Sequence, residues 1–394
     1  MTMTLSRIPP FLLFFIACLN GMLLGGCTVK DAPPVAVTPQ VVPTELYVAP
    51  DGLDSNPGTR AAPLRTLARV AQMVQPGTIV NVLPGTYHGG FRTEVDGLPN
   101  ARVVFRSTER WRARIVPPPV SSSPVAWDNR GKYVDIEGFE IDGSTQAVPT
   151  ETSMATGVKW STGIYNGGSY GRIAANHVHH IGTAAPCGSV DGAGIVADSY
   201  YKGSDSEVSG NSVHDIGPPG CRLIHGIIMS APGTVRNNVV YRISEFGILL
   251  WHDAHHVNVM NNTVTAAGTG IVVGGGDFYH SKGPNDHSRV LNNIVYDNRK
   301  GIAEMGATGP DNSYRNNLVF QNPDGDWNLA QGKTHSATVS ADPRFVDYTR
   351  NGTPDFRLAS DSPAVGKGLE IGGVGPDFYG KAREAKVDIG AAQH

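Results

Sequence analysis

Charge is the first scarcity in this chain: Asp, Glu, Lys and Arg together make up 17% of its 394 residues, against about 25% in an average soluble domain. Glycine, by contrast, reaches 48 residues. Sparse charge with abundant glycine argues against helical bundles and for many short strands joined by tight turns. The formal net charge of -3 gives no basic footprint, so no nucleic-acid partner is expected. Cysteine is also rare, with Cys18, Cys27, Cys187 and Cys221 making the full set.

The apolar run Phe11 to Leu19, preceded by Arg7, is too short to cross a bilayer as a helix. It suits the central region of a signal peptide. The run ends at Leu23-Leu-Gly-Gly-Cys27, which resembles a bacterial lipobox. That resemblance implies cleavage after residue 26, lipidation of Cys27 and a membrane anchor. Thr28, standing where an aspartate would signal inner-membrane retention, implies an outer-membrane lipoprotein facing the periplasm or the cell surface. Residues 27–45 contain Pro33, Pro34, Pro39 and Pro43 and read as an extended tether. Cys18 leaves with residues 1–26, so Cys187 and Cys221 remain. In an oxidising compartment they read as one disulfide, or else as two buried thiols.

Internal repeats decide the architecture. Asparagine followed two residues later by valine recurs at Asn176, Asn211, Asn238, Asn262, Asn293 and Asn317, at spacings of 35, 27, 24, 31 and 24. Gly-Ile pairs interleave at 163, 194, 226, 247, 270 and 301. Unequal spacing over a minimum near 24 describes a coil with loops of different length, whose stacked copies pair strands in parallel. The expected fold is an all-β, single-stranded right-handed parallel β-helix over residues 46–394. One interior column is formed by Val178, Val213, Val240, Val264, Val295 and Val319, and another by the isoleucines. The asparagines form a turn ladder. His179, His214, Tyr241, Tyr296 and Phe320 form an outward stacking column. Apolar residues at 64, 67, 70, 71 and 74 after Pro63 predict a short N-terminal capping helix, and residues from about 338 to 394 a C-terminal cap.

Tyr47-Val-Ala-Pro-Asp-Gly52, Asn56-Pro-Gly-Thr59 and Pro76 to Tyr87 resemble the N-terminal region of secreted β-helix proteins of the pectate-lyase and chondroitinase type. Ala341-Asp-Pro-Arg-Phe345, Asp355-Phe-Arg-Leu358 and Val387-Asp-Ile-Gly390 resemble their C-terminal segment. The resemblance implies a monomeric protein with a polysaccharide substrate, foremost a lyase that cleaves a uronate-containing chain by β-elimination, with Ca²⁺ as cofactor. A glycoside hydrolase using Asp253 and Asp277 and a non-catalytic glycan-binding scaffold are the alternatives.

The long insert Gly274 to His287 and the segment Trp251 to His256 stand at similar offsets in neighbouring coils and should build one polar, aromatic patch. Asp191, Arg222, His225 and Glu245, at the loops before the Gly-Ile runs, form a second group. Across the two groups Lys282, His225 and His252 are the candidate bases. Trp251, Tyr279 and Arg222 are candidate substrate contacts, and Asp191, Asp253 and Asp277 candidate metal ligands. Gly274-Gly-Gly276 reads as a turn. If Cys27 is the anchor, Cys27→Ser will move the protein from the membrane to the soluble fraction and abolish lipid labelling. Unchanged partitioning would remove the lipoprotein reading.

Overall fold

The computed structural model describes residues 44–119, 123–144, 160–183 and 191–394. The expected signal peptide, Cys27, the tether up to residue 43 and Cys187 lie outside these residues, and so does the Cys187–Cys221 pairing. Cys221 itself is buried.

Each coil passes through three faces. Face A is a ten-stranded parallel sheet running from Thr44–Val48 to Ser313–Arg315. Face B includes Glu140–Asp142, His177–His179 and Ser212–Ile216; face C includes Thr162–Asn166, Gly192–Ala197 and Ile224–Met229. In the next two coils the break between B and C closes, and Val239–Leu250 and Thr263–Gly275 run through both. The interior follows the period-two alternation of the strands. Val178, Val213, Val240, Val264, Val295 and Val319 pair in register and are fully buried. Ile164, Ile195, Ile227, Ile248, Ile271 and Ile302 do the same on face C. Each such side chain contributes on the order of 1.5–3 kcal/mol relative to exposure.

Six asparagines hold the corner between faces A and B. From Asn176 to Asn293, each Nδ2 donates to Oδ1 of the next at 2.9–3.1 Å. The second hydrogen of each Nδ2 goes back to a face A carbonyl of the preceding coil, such as Val235 O from Asn262. The residue before each ladder position is left-handed: Ala175, Gly210, Asn237, Asn261, Asn292 and Asn316 all have φ between 52° and 64°. Asparagine tolerates that region better than other residues with a Cβ. The Asn-Asn doublets therefore divide the work, the first turning the chain and the second bonding the coils. Shorter side-chain ladders occupy the other corners: Thr93, Asn129, Asn166 and Ser206 between C and A, and Asn298 with Asn322 between B and C.

The N-terminal helix, Leu67–Ala71, is shorter than the periodicity suggests. Leu64 is held in an extended bridge with Val48, and Thr66, whose hydroxyl accepts from Arg69 N at 3.1 Å, starts the helix after it. Leu67, Val70 and Ala71 seal that end of the core. The C-terminal segment does more than close the other end. After Val339 bridges Leu318, it forms the antiparallel pair Phe345–Asp347 and Asp355–Leu358, then runs along the flank beside the ladder. The first asparagine of each doublet grips it: Asn316 bonds Lys367 O, Asn292 bonds Leu369 O, Asn261 bonds Asp388 O, and Asn237 bonds Val374 O and Pro376 O. Arg110, near the other end of the solenoid, lies over the Phe378 ring.

These two roles are separable. Asn262→Ala leaves two buried donors of Asn238 and the Val235 carbonyl without partners, and is expected to lower unfolding free energy by about 2–4 kcal/mol in denaturant titration. Asn261→Gly keeps the left-handed turn. It should change stability less while making residues 367–394 more susceptible to limited proteolysis.

Candidate functional site

Where the chain leaves face C, three coils send out polar turns, and Asp253 binds them together. This carboxylate is buried and accepts hydrogen bonds from Ser199 Oγ (3.0 Å), Ser281 Oγ (2.7 Å), Ser281 N (2.9 Å) and His280 N (3.1 Å). Burial pushes its pKa up, but the bonds from Ser281, Ser199 and His280 outweigh burial and hold it below the usual carboxylate value. The insert is thus folded back toward the Ser199-Tyr-Tyr201 turn, and His280 Nε2 lies 3.1 Å from Tyr200 O.

Within this clamp, His252 is held between two groups of the insert. Its Nδ1 lies 2.8 Å from Asp277 O and its Nε2 lies 2.9 Å from Tyr279 Oη, with the two rings stacked 4.1 Å apart. A carbonyl only accepts, so Nδ1 carries the proton and Nε2 presents a lone pair to the tyrosine hydroxyl. Burial, then the charges of Asp198, Asp277, Asp253 and Asp191, push the Tyr279 phenol up to about 12. It remains a proton donor at neutral pH.

From Tyr279 an aromatic ridge continues across the coils. Tyr200 meets it edge-on at 5.3 Å, Tyr201 stands 4.9 Å from Tyr200, and Arg130 lies 3.5 Å over the Tyr201 ring. Tyr165 lies 6.3 Å from Tyr201 and donates to Asp198 Oδ2 at 2.6 Å. Tyr200 and Tyr201 are 56% and 53% exposed, so their faces are available to a ligand. Sequence reasoning missed both. The available signal was an aromatic doublet in the turn that follows a Gly-Ile strand, two and three residues further along than Trp251 follows its own.

The two groups of residues that the sequence suggests lie at different corners. Trp251, His252, Asp253, Asp277, Tyr279 and Lys282 belong to this corner. Trp251 is half-buried, its ring rests where any Cβ at Gly274 or Gly276 would stand, and its Nε1 donates to Asp277 Oδ2 at 3.1 Å. The glycine triplet ends a strand and makes room for that ring. Lys282 is exposed and makes no hydrogen bond or ion pair among the described residues. His225 lies at the opposite edge of face C, stacked on Phe246 at 4.9 Å. Phe246 precedes Trp251 by five residues in one strand sequence, which is ~16 Å of extended chain. His225 is therefore not a second base for this site.

Arg222 is also elsewhere. It is exposed and lines a cleft of about 740 Å³ at the corner between faces B and C, with Arg242, Arg299, Arg350, Asp215 and Glu245. Arg242 is paired with Asp215, Arg299 lies 3.6 Å from Glu245, and Arg350 is paired with Asp297. Asp191, Asp253 and Asp277 do not fit a calcium ion. Among the described residues they form no cluster within ligand reach, and the oxygens of Asp253 are already engaged. Asp191 precedes the face C strand, whereas the other two follow it. It reaches the site only through its charge on Tyr279.

Residues 162–340 match the family model described as right handed beta helix region, and residues 51–92 one described as protein of unknown function (DUF1565). The uncharacterized protein YwoF of Bacillus subtilis is 31% identical over 153 residues, covering 37% of this chain and 31% of that protein. The chain thus spans about a third of that relative's length. Among solved structures, pectate lyase Pel9A is 16% identical with a TM-score of 0.57, covering 90% of this chain and 97% of its own. A rhamnogalacturonan lyase is 15% identical with a TM-score of 0.51, covering 86% and 99%. A glycoside hydrolase is 9% identical at 0.51, covering 75% and 95%. The fold is an all-β right-handed parallel β-helix, as the repeats predict.

The His225 environment makes a pH prediction. Burial holds its pKa down to about 4 from 6.5, so the unfolded chain takes up its proton first as pH falls. The His225 contribution to stability is fully present above pH 6.5 and lost between 6.5 and 4, by up to ~3 kcal/mol. His225→Phe should remove this loss. Melting temperatures of the two proteins across pH 7.5 to 4.5 should diverge in favour of the variant on the acid side, and parallel curves would contradict the assignment.

Proposed function

We propose that this chain is an envelope-anchored, polysaccharide-active protein that cleaves a uronate-containing chain by β-elimination at the His252–Tyr279 pair. The observation that carries the reading is the 2.9 Å approach of Tyr279 Oη to a His252 nitrogen whose partner nitrogen is fixed by a backbone carbonyl. Sugar rings would lie along Tyr279, Tyr200 and Tyr201, since exposed aromatic faces suit the apolar faces of pyranoses. His252 Nε2 takes the proton beside the uronate carboxylate. The electron pair forms the new double bond as the C–O bond to the leaving sugar breaks, and the Tyr279 hydroxyl, turned from His252, protonates the leaving oxygen. Lys282, unpaired in the same insert, is the cation available to the carboxylate. The likeness in fold to proteins named as lyases and to a glycoside hydrolase supports a polysaccharide as substrate. A hydrolase using Asp253 is less well supported, because that carboxylate is the clamp of the insert.

Incubation of the protein with uronate polymers tests the reading. Ultraviolet absorbance from the new double bond is expected. New reducing ends without absorbance would mean hydrolysis, and neither would mean binding alone. Tyr279→Phe should lower turnover by about 10²–10⁴-fold with the fold intact. Tyr200→Ala should chiefly raise KM, because stacking is lost equally in ground and transition states. A Tyr279→Phe protein with normal turnover would overturn the proposed pair.

A further inference from the structure

Four imidazoles and three carboxylates meet on the outside of face B, well away from the aromatic corner. They come from three consecutive coils: Glu140 and Asp142, then His177, His179 and His180, then His214 and Asp215. The interior positions between them are Ile141, Val178 and Val213, which pair in register. Their neighbours therefore project outward together. His177 stands opposite Glu140, and His179 stands between Asp142 and His214.

We propose that Glu140, His177 and His179, completed by His214, bind one divalent transition-metal ion of the zinc class. One ligand atom from each of Glu140, His177 and His179 lies within 4.8 Å of the others. His179 Nε2 is 3.1 Å from Glu140 Oε1, and His177 Nε2 faces His214 Nε2 at 2.6 Å. Two nitrogens on one tetrahedral zinc lie ~3.3 Å apart, given Zn–N bonds of ~2.0–2.1 Å. A modest opening of the histidine pair admits the ion. Three imidazoles with one carboxylate suit zinc and its first-row neighbours, and are the wrong donors for calcium, which takes oxygen.

The surroundings prepare these rings as ligands. His214 Nδ1 lies 2.6 Å from Asp215 Oδ2, and Asp215 is held in turn by two 2.7 Å bonds from Arg242. His179 Nδ1 faces His180 Nδ1 at 2.6 Å, with Asp142, which Arg114 grips, 3.5 Å away. At His214 the carboxylate on the far nitrogen fixes the tautomer and aims Nε2 inward, the usual support behind metal-binding histidine. Trp111 packs on His177 at 4.8 Å and Tyr241 on His214 at 4.6 Å, which shields the centre from water.

The test is independent of any lyase activity. The full chain is loaded with Zn²⁺, dialysed and counted by inductively coupled plasma mass spectrometry. One retained ion per chain is expected. Glu140→Gln/His179→Gln should lose it with an unchanged circular dichroism spectrum. The exposed group Asp286, His287 and Asp311 also offers ligand atoms within 4.8 Å, so His287→Ala is the control and should keep the ion. Co²⁺ should give the visible absorption of a tetrahedral nitrogen-rich site in the wild type. If the double variant fails to fold, a weakened or shifted cobalt band in Glu140→Gln alone supports the site and an unchanged band overturns it. No retained zinc in the wild type, retention in the folded double variant, or loss in His287→Ala would also overturn it.

Discussion

The fully satisfied amide of the ladder asparagines is the interaction on which the rest of this structure depends. An asparagine Nδ2 has two hydrogens and Oδ1 two lone pairs. At Asn211, Asn238, Asn262 and Asn293 all four are used, linking each coil to the one before and the one after. A corner so bonded fixes where face B begins. Because side chains alternate with period two, a slip of one residue would turn the valine column outward. The ladder sets register, and register assigns every functional side chain to its face.

Given that frame, the other corners are free to differ in length, and both candidate sites exploit the freedom differently. At the exit of face C, turns of unequal length are drawn together by the buried carboxylate of Asp253. On face B no insert is needed. Regular strands place Glu140, His177 and His179 in contact through coil stacking alone, at sequence separations of 37 and 39 residues between coils.

The ladder, both interior columns and the solenoid itself are legible in the sequence because each repeats at a recognisable offset. The candidate sites are legible only in part. Trp251, His252, Asp253 and the insert can be grouped by offset, but offset does not say which way a ring turns, and the Trp251 ring packs into the space left by Gly274 and Gly276. Arg222 and His225 carry suitable chemistry, but they stand before or at the start of a face C strand while the aromatic corner follows such strands, so the two sequence groups lie at different corners. His179 and His214 do stack as their column predicts, 5.2 Å apart and nearly parallel. Their partners Glu140 and Asp142 precede the first ladder asparagine, outside the repeat that revealed the column. The path of the C-terminal segment left no periodic trace, because the asparagines that grip it also serve the turns.

That segment changes how the molecule can come apart. A solenoid whose coils touch only their neighbours behaves as a one-dimensional chain of units and can fray from either end. Here residues 367–390 are bonded to the coils at Asn316, Asn292, Asn261 and Asn237 in one continuous flank, and Arg110 bonds Phe378 O across 268 residues of sequence. Unravelling the terminal coils must first strip contacts from coils much earlier in the chain. Such long-range closure raises contact order, which slows folding, and it welds what would be independent repeats into a single cooperative unit.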